Sequence, residues 1–68
     1  MNVGEGITRI NTSTEVAETV RQCIDAGLSI KQDDETVNVY NGDIEVFTAL
    51  KKDQTAWICR YNKSFFGE

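Results

Sequence analysis

The chain has 68 residues, of which 26% are charged, with a formal net charge of −4, no histidine, no proline and two cysteines. A chain of this length forms one domain over residues 1–68, and its core is thin, because so short a chain buries only about 60% of the surface its unfolded form exposes. The acidic balance argues against generic duplex DNA binding, which displaces counterions with positive charge; the lack of histidine removes the usual near-neutral acid–base group and the commonest nitrogen ligand of zinc; and no run reaches the roughly 18 apolar residues of a membrane helix.

Residues 1–6 contain Gly4 and Gly6 and no periodic apolar pattern, so they read as a mobile end, as do residues 63–68. Ile7-Thr8-Arg9-Ile10 alternates too briefly to separate an edge strand from an ordered approach to a helix. Thr12-Ser13-Thr14-Glu15 fits a capping box, in which the Thr12 hydroxyl accepts a backbone N–H and the Glu15 carboxylate reaches back, with Ser13 and Thr14 as alternative caps. From Ser13 to Ala26, Val16, Val20, Cys23 and Ile24 recur at helical spacing, and Gly27 stands where a left-handed residue ends the helix. Glu15, Glu18, Gln22 and Asp25 fall on the opposite side as an acidic stripe, which serves either as a solvated face or as an imitation of nucleic-acid phosphates.

Four strands are expected after the helix. Leu28-Ser29-Ile30-Lys31-Gln32 alternates, and Asp33-Asp34 turns it back toward Thr36, pairing Ile30 with Val37 and Leu28 with Val39. Asn41-Gly42 suits a two-residue type I′ loop, which would set Tyr40 opposite Asp43, Val39 opposite Ile44 and Val37 opposite Val46. Lys51-Lys52-Asp53-Gln54 then leads into Thr55–Tyr61, pairing Thr48 with Trp57 and Val46 with Cys59. This last joint decides the faces, since a loop of odd length with a bulge would exchange them.

The expected architecture is α+β: one N-terminal helix packed on one face of a four-stranded antiparallel meander. The inner face would join Val16, Val20, Cys23 and Ile24 to Leu28, Ile30, Val37, Val39, Ile44, Val46, Trp57 and Cys59. Both cysteines lie in apolar local sequence and no apolar leader is evident, so they read as reduced core thiols of a cytoplasmic protein.

One helix leaves the other sheet face open. There Phe47 and Ile58 would be neighbours, with Tyr40 toward the hairpin end and Glu45 opposite Arg60 at the rim, an apolar centre with a polar edge suited to a protein partner. A different surface uses Lys51, Lys52, Arg60 and Lys63, interleaved with Trp57, Tyr61, Phe65 and Phe66, to hold single-stranded nucleic acid through phosphates and stacking. This alternative ranks below the first, because Trp57 and Tyr61 share the parity of the core.

No catalytic constellation emerges. Asp33-Asp34-Glu35 lacks the spacing of a calcium loop, Gly4-Glu5-Gly6 is not a phosphate loop, and the hydroxyls have no histidine to activate them. The expectation is therefore a non-enzymatic, cofactor-free and metal-free protein-binding module with Tyr40, Glu45, Phe47, Ile58, Arg60 and the stripe of Glu15, Glu18 and Asp25 as contacts. Its size and charge suit a phage or mobile-element accessory protein that inhibits a host nucleic-acid-handling complex. A homodimer would use the same patch or an exposed strand edge.

Overall fold

A computed structural model describes residues 6–66. The elements run β1 (Gly6–Thr12), α1 (Ser13–Asp25), β2 (Ser29–Gln32), β3 (Thr36–Asn41), β4 (Ile44–Lys51), β5 (Ala56–Asn62) and the short α2 (Lys63–Phe66). Of the two ends expected to be mobile, residues 1–5 and 67–68 lie outside the described residues, whereas Gly6 opens β1 and residues 63–66 form α2. The fold is α+β, as expected, but its sheet has five strands in the order β1-β5-β4-β3-β2. The additional strand is the segment around Ile7–Ile10, which pairs antiparallel with β5 along its whole length. Alternation over so few residues is ambiguous alone; pairing with β5 resolves it.

The expected helix ends are present. The Thr12 hydroxyl accepts from the Glu15 N–H at 3.1 Å and the Glu15 carboxylate accepts from the Thr12 N–H at 2.8 Å. At the other end Gly27 takes φ +83°, and its N–H donates to the Ile24 carbonyl while that of Leu28 donates to the Cys23 carbonyl. Those two bonds are the Schellman pattern, which only a left-handed residue after the cap permits cheaply. α1 therefore carries the chain from β1 at one sheet edge to β2 at the other, beneath the strands between.

The hairpins keep their existence but change register. β2 and β3 pair Ile30 with Val39 and Gln32 with Val37, a slide of two residues from expectation that leaves the faces intact. The β3–β4 loop is Gly42-Asp43 instead of Asn41-Gly42, since Asn41 pairs with Ile44 and Tyr40 with Glu45. Gly42 alone takes positive φ, +67°, the glycine-first pattern of a type II′ loop. Beyond Tyr40 the register shifts by one, so that Val39 meets Phe47 and Val37 meets Ala49, leaving Val46 unpaired as a bulge. Five residues, 52–56, separate the paired Lys51 and Trp57, the last of them, Ala56, already paired with Thr12 of β1. Bulge and odd loop compensate. β5 retains its expected faces, while β4 from Phe47 onward turns over.

The core therefore consists of Val16 and Cys23 from α1 with Val37, Val39, Val46, Phe47, Ala49 and Cys59 from the sheet. Phe47 is 1% exposed and fills the centre, which corrects its expected place on the open face. Ile24 and Ile44, expected inside, are 59% and 60% exposed. The exchange is favourable because burying a phenylalanine is worth about 1.5–3 kcal/mol, more than the roughly 0.5–1.5 kcal/mol net of a ladder hydrogen bond that a bulge disturbs. Tyr61 continues the core outward, its ring 4.9 Å from Phe47 and 5.0 Å from Phe66. Cys23 and Cys59 are both buried free thiols of this core.

Replacing Phe47 by alanine is expected to cost about 3–5 kcal/mol, comparable with the whole stability of so small a domain. Urea unfolding should show Phe47→Ala largely unfolded in buffer and Ile24→Ala close to wild type; similar midpoints for the two would refute this core. Two aspartates give a second prediction. Asp33 Oδ1 accepts from the N–H groups of Glu35 and Thr36, and Asp53 Oδ1 from those of Thr55 and Ala56. These bonds hold both carboxyls below the ordinary value of 3.8. A carboxylate depressed on folding stabilises the native state above its unfolded pKa, and that contribution disappears as pH falls through the folded value. Melting temperature should thus decline below pH 3.8, and less steeply in the Asp33→Asn, Asp53→Asn double variant; an unchanged acid limb would count against the two turns as its source.

Candidate functional site on the open sheet face

Side chains alternate between the two faces of a strand, and the observed registers determine which of them lie opposite α1. Ile10 pairs with Ile58, and Ile58 pairs with Leu50, so these three form one lateral row across β1, β5 and β4. They are 61%, 39% and 50% exposed. With strands about 4.7–4.9 Å apart, the row is a continuous aliphatic ridge on an otherwise polar surface. The adjacent row is Thr8, Arg60, Thr48, Asn38 and Lys31, one residue from each strand. Beyond it the Asn38 amide donates to the Glu45 carboxylate at 2.8 Å, and the Lys31 ammonium stands 6.0 Å from the centre of the Tyr40 ring.

Sequence reasoning thus places Tyr40, Glu45, Ile58 and Arg60 on the open face, where they stand, but it assembles them around the wrong centre. Phe47 leaves this face for the core and Arg60 lies opposite Thr48 instead of Glu45. The residues missed are Ile10 and Leu50. Ile10 required β1 to be recognised as a strand, and Leu50 required the bulge at Val46; an exposed branched aliphatic side chain at each is the only local signal. Gly6 also belongs to this face, because a Cβ there would come within 2.5 Å of the Arg60 Nε. The Arg60 side chain lies across the space that glycine leaves.

A groove of about 360 Å³ adjoins the Ile10 end of the row, between the β1–α1 junction and the β4–β5 loop. Ile10 and Ala56 supply its apolar lining, and Thr12, Thr14, Gln54 and Thr55 its polar lining. It suits an apolar side chain with a polar group beside it. The acidic stripe lies elsewhere. Glu15, Glu18 and Asp25 are exposed on α1, which covers the inner face, so one flat partner cannot touch both the stripe and the aliphatic row. The Glu15 carboxylate is moreover engaged in the cap of α1.

The basic residues of the nucleic-acid alternative are not brought together. Lys51 and Lys52 sit at the β4–β5 loop and Lys63 follows β5 at its far end, about 20 Å away at the rise of an extended strand. Trp57 and Tyr61 pack against the core on the inner face; the Trp57 indole donates to the Ser13 hydroxyl at 3.1 Å, and the Asn11 amide donates to the Tyr61 hydroxyl. Both rings are partly buried there, whereas Phe65 of α2 is 42% exposed. Burial pushes both cysteine thiols up from their ordinary value. Among the described residues no three metal-ligating side chains come together, and no helix is long and apolar enough to cross a membrane. Comparison with protein-family models, with curated proteins and with solved structures found no match.

Proposed function

We propose that this chain is a non-enzymatic protein-binding module whose docking surface is the open sheet face. The observation that carries this reading is the row of Ile10, Ile58 and Leu50, half exposed on three neighbouring strands and bordered by polar side chains. Covering the exposed remainder of these three side chains is worth on the order of 2–4 kcal/mol. Association costs an estimated 4–15 kcal/mol in lost freedom, so the row anchors a partner but does not hold it alone. The polar row centred on Arg60 and the groove beside Ile10 supply further contact, which the roughly 800 Å² per side of a stable interface requires.

Such a module acts by occupation: whatever its partner does at the covered surface is blocked. The stripe of Glu15, Glu18 and Asp25 extends the proposal to a partner that ordinarily binds nucleic acid, and its support is charge alone. Lying on the opposite layer of the molecule, the stripe would engage a surface other than the one docked on the open face.

The reading is tested by affinity capture from a bacterial lysate with wild type, Ile58→Asp and Leu50→Asp side by side, each first shown to be folded by circular dichroism. A protein retained by wild type should be reduced at least tenfold by either aspartate, since each buries an unpaired charge at the centre of the contact. Retention unchanged in both variants would remove the open face as the site. Recovery of nuclease-sensitive, salt-labile nucleic acid instead of protein would favour the alternative.

A further inference from the structure

The two edges of the sheet are unlike. β2 is four residues long, carries Lys31 and runs into Asp33-Asp34-Glu35, the short and charged design that discourages pairing with another chain. β1 is seven residues long and contains no proline, lysine or carboxylate, and its one charged side chain, Arg9, lies over the Tyr61 ring on the inner face. Its backbone polarity follows from two hydrogen bonds at its end. The Ser13 N–H donates to the Thr55 carbonyl at 3.0 Å, whereas the Thr12 N–H turns away from β5 to the Glu15 carboxylate. Because bonded and non-bonded pairs alternate along an antiparallel ladder, Ile7, Arg9 and Asn11 bond to β5, and Gly6, Thr8 and Ile10 direct their N–H and C=O groups to the side where, among the described residues, no strand pairs with β1.

We propose that a second copy of this chain pairs with β1, antiparallel about a two-fold axis at Thr8, to join two sheets into one. The register follows from matching outward residues with outward residues. An axis at Ile10 sets Thr8 opposite Thr12 of the second copy, whose N–H is already taken by Glu15. An axis at Arg9 sets the two Arg9 residues side by side as like charges and leaves Gly6 opposite the same occupied Thr12. An axis at Thr8 pairs every outward residue: Thr8 with its own copy, Gly6 with Ile10 and Ile10 with Gly6. Arg9 then faces Ile7 of the second copy. Gly6 offers no side chain to obstruct Ile10, and the Arg60 side chain lying against Gly6 gives Ile10, the most exposed member of the row, an aliphatic stem to pack on. Ile58 and Leu50 stay open in this dimer, which takes Ile10 and the Arg60 stem from the proposed docking face and does not depend on that reading.

Sedimentation equilibrium of the full chain up to millimolar concentration tests the proposal. Wild type should dimerise, and Thr8→Pro, which removes an N–H that faces away from β5 and is tolerated at such an edge position, should raise the dissociation constant by about tenfold or more. Cysteine cross-linking reads the register without relying on the fold of the proline variant. Thr8→Cys should form a disulfide-linked dimer on mild oxidation, because bonded pairs stand about 5.5 Å apart at Cα. Ile10→Cys should not, because its two copies would be displaced by about 13 Å along the strands. A monomer at all concentrations, dimerisation undisturbed in a folded Thr8→Pro, or cross-linking through Ile10→Cys in preference to Thr8→Cys would overturn the proposal. Ile58→Asp separates it from the docking reading: a dimer that persists in this variant supports edge pairing whatever happens to partner capture, and a dimer lost in it overturns edge pairing.

Discussion

The bulge at Val46 is the constraint on which the rest of this structure depends. In a regular β4, Val46 and Phe47 would point to opposite faces, and one would be lost to the core. The extra residue lets both be buried and turns the remainder of β4 over, so that Ala49 faces the helix and Leu50 faces solvent. A thin core gains its largest side chain in this way. The open face receives Leu50 beside Ile58 in exchange, and the aliphatic row is therefore a direct product of how the core is packed.

Around that centre, a chain with neither disulfide nor described metal cluster is held by many local devices. The capping box and Schellman motif define both ends of α1, and Asp33 and Asp53 close their turns with backbone-accepting carboxylates. Tyr61 links more distant parts. It packs at a tilt against Phe47 and edge-to-face against Phe66, receives a hydrogen bond from Asn11 and lies 5.3 Å beneath the Arg9 guanidinium. Through this ring β1, β4, β5 and α2 share one contact. Phe66 thus packs toward the core while Phe65 stays exposed, which separates the two members of an apparently equivalent pair.

A single helix on a five-stranded sheet covers one face only, and the uncovered face carries whatever the strands direct there. Its surface divides into an aliphatic row, a polar row and a groove at one end, each drawn from several strands. Positions on paired strands are held by a hydrogen-bonded ladder, so the row is presented with little conformational freedom to lose on docking. A sheet face offers side chains, whereas a sheet edge offers backbone groups.

Local chemistry was legible from the residues themselves. Thr12 and Glu15 specify the start of α1, Gly27 its end, and alternation in 36–40, 43–48 and 55–61 identifies strands whose turns are marked by Gly42, Asp33 and Asp53. These features depend on neighbours a few residues apart, and so the class, the order of the later elements and most of the core on α1, β3 and β5 followed from sequence. Three things did not follow: that Ile7–Ile10 belongs to a strand, that β4 contains a bulge, and that Phe47 and Leu50 therefore exchange sides. Each is settled by pairing between distant segments, where one residue of register reverses every side chain and the choice falls to the arrangement that buries the most apolar surface. The sequence alone determined α1 and the existence of β2 to β5; only the tertiary structure decided that residues 6–12 form a strand, that residues 63–66 form α2 and which face each side chain occupies, because these are fixed by the neighbouring strand and by the volume of the shared core.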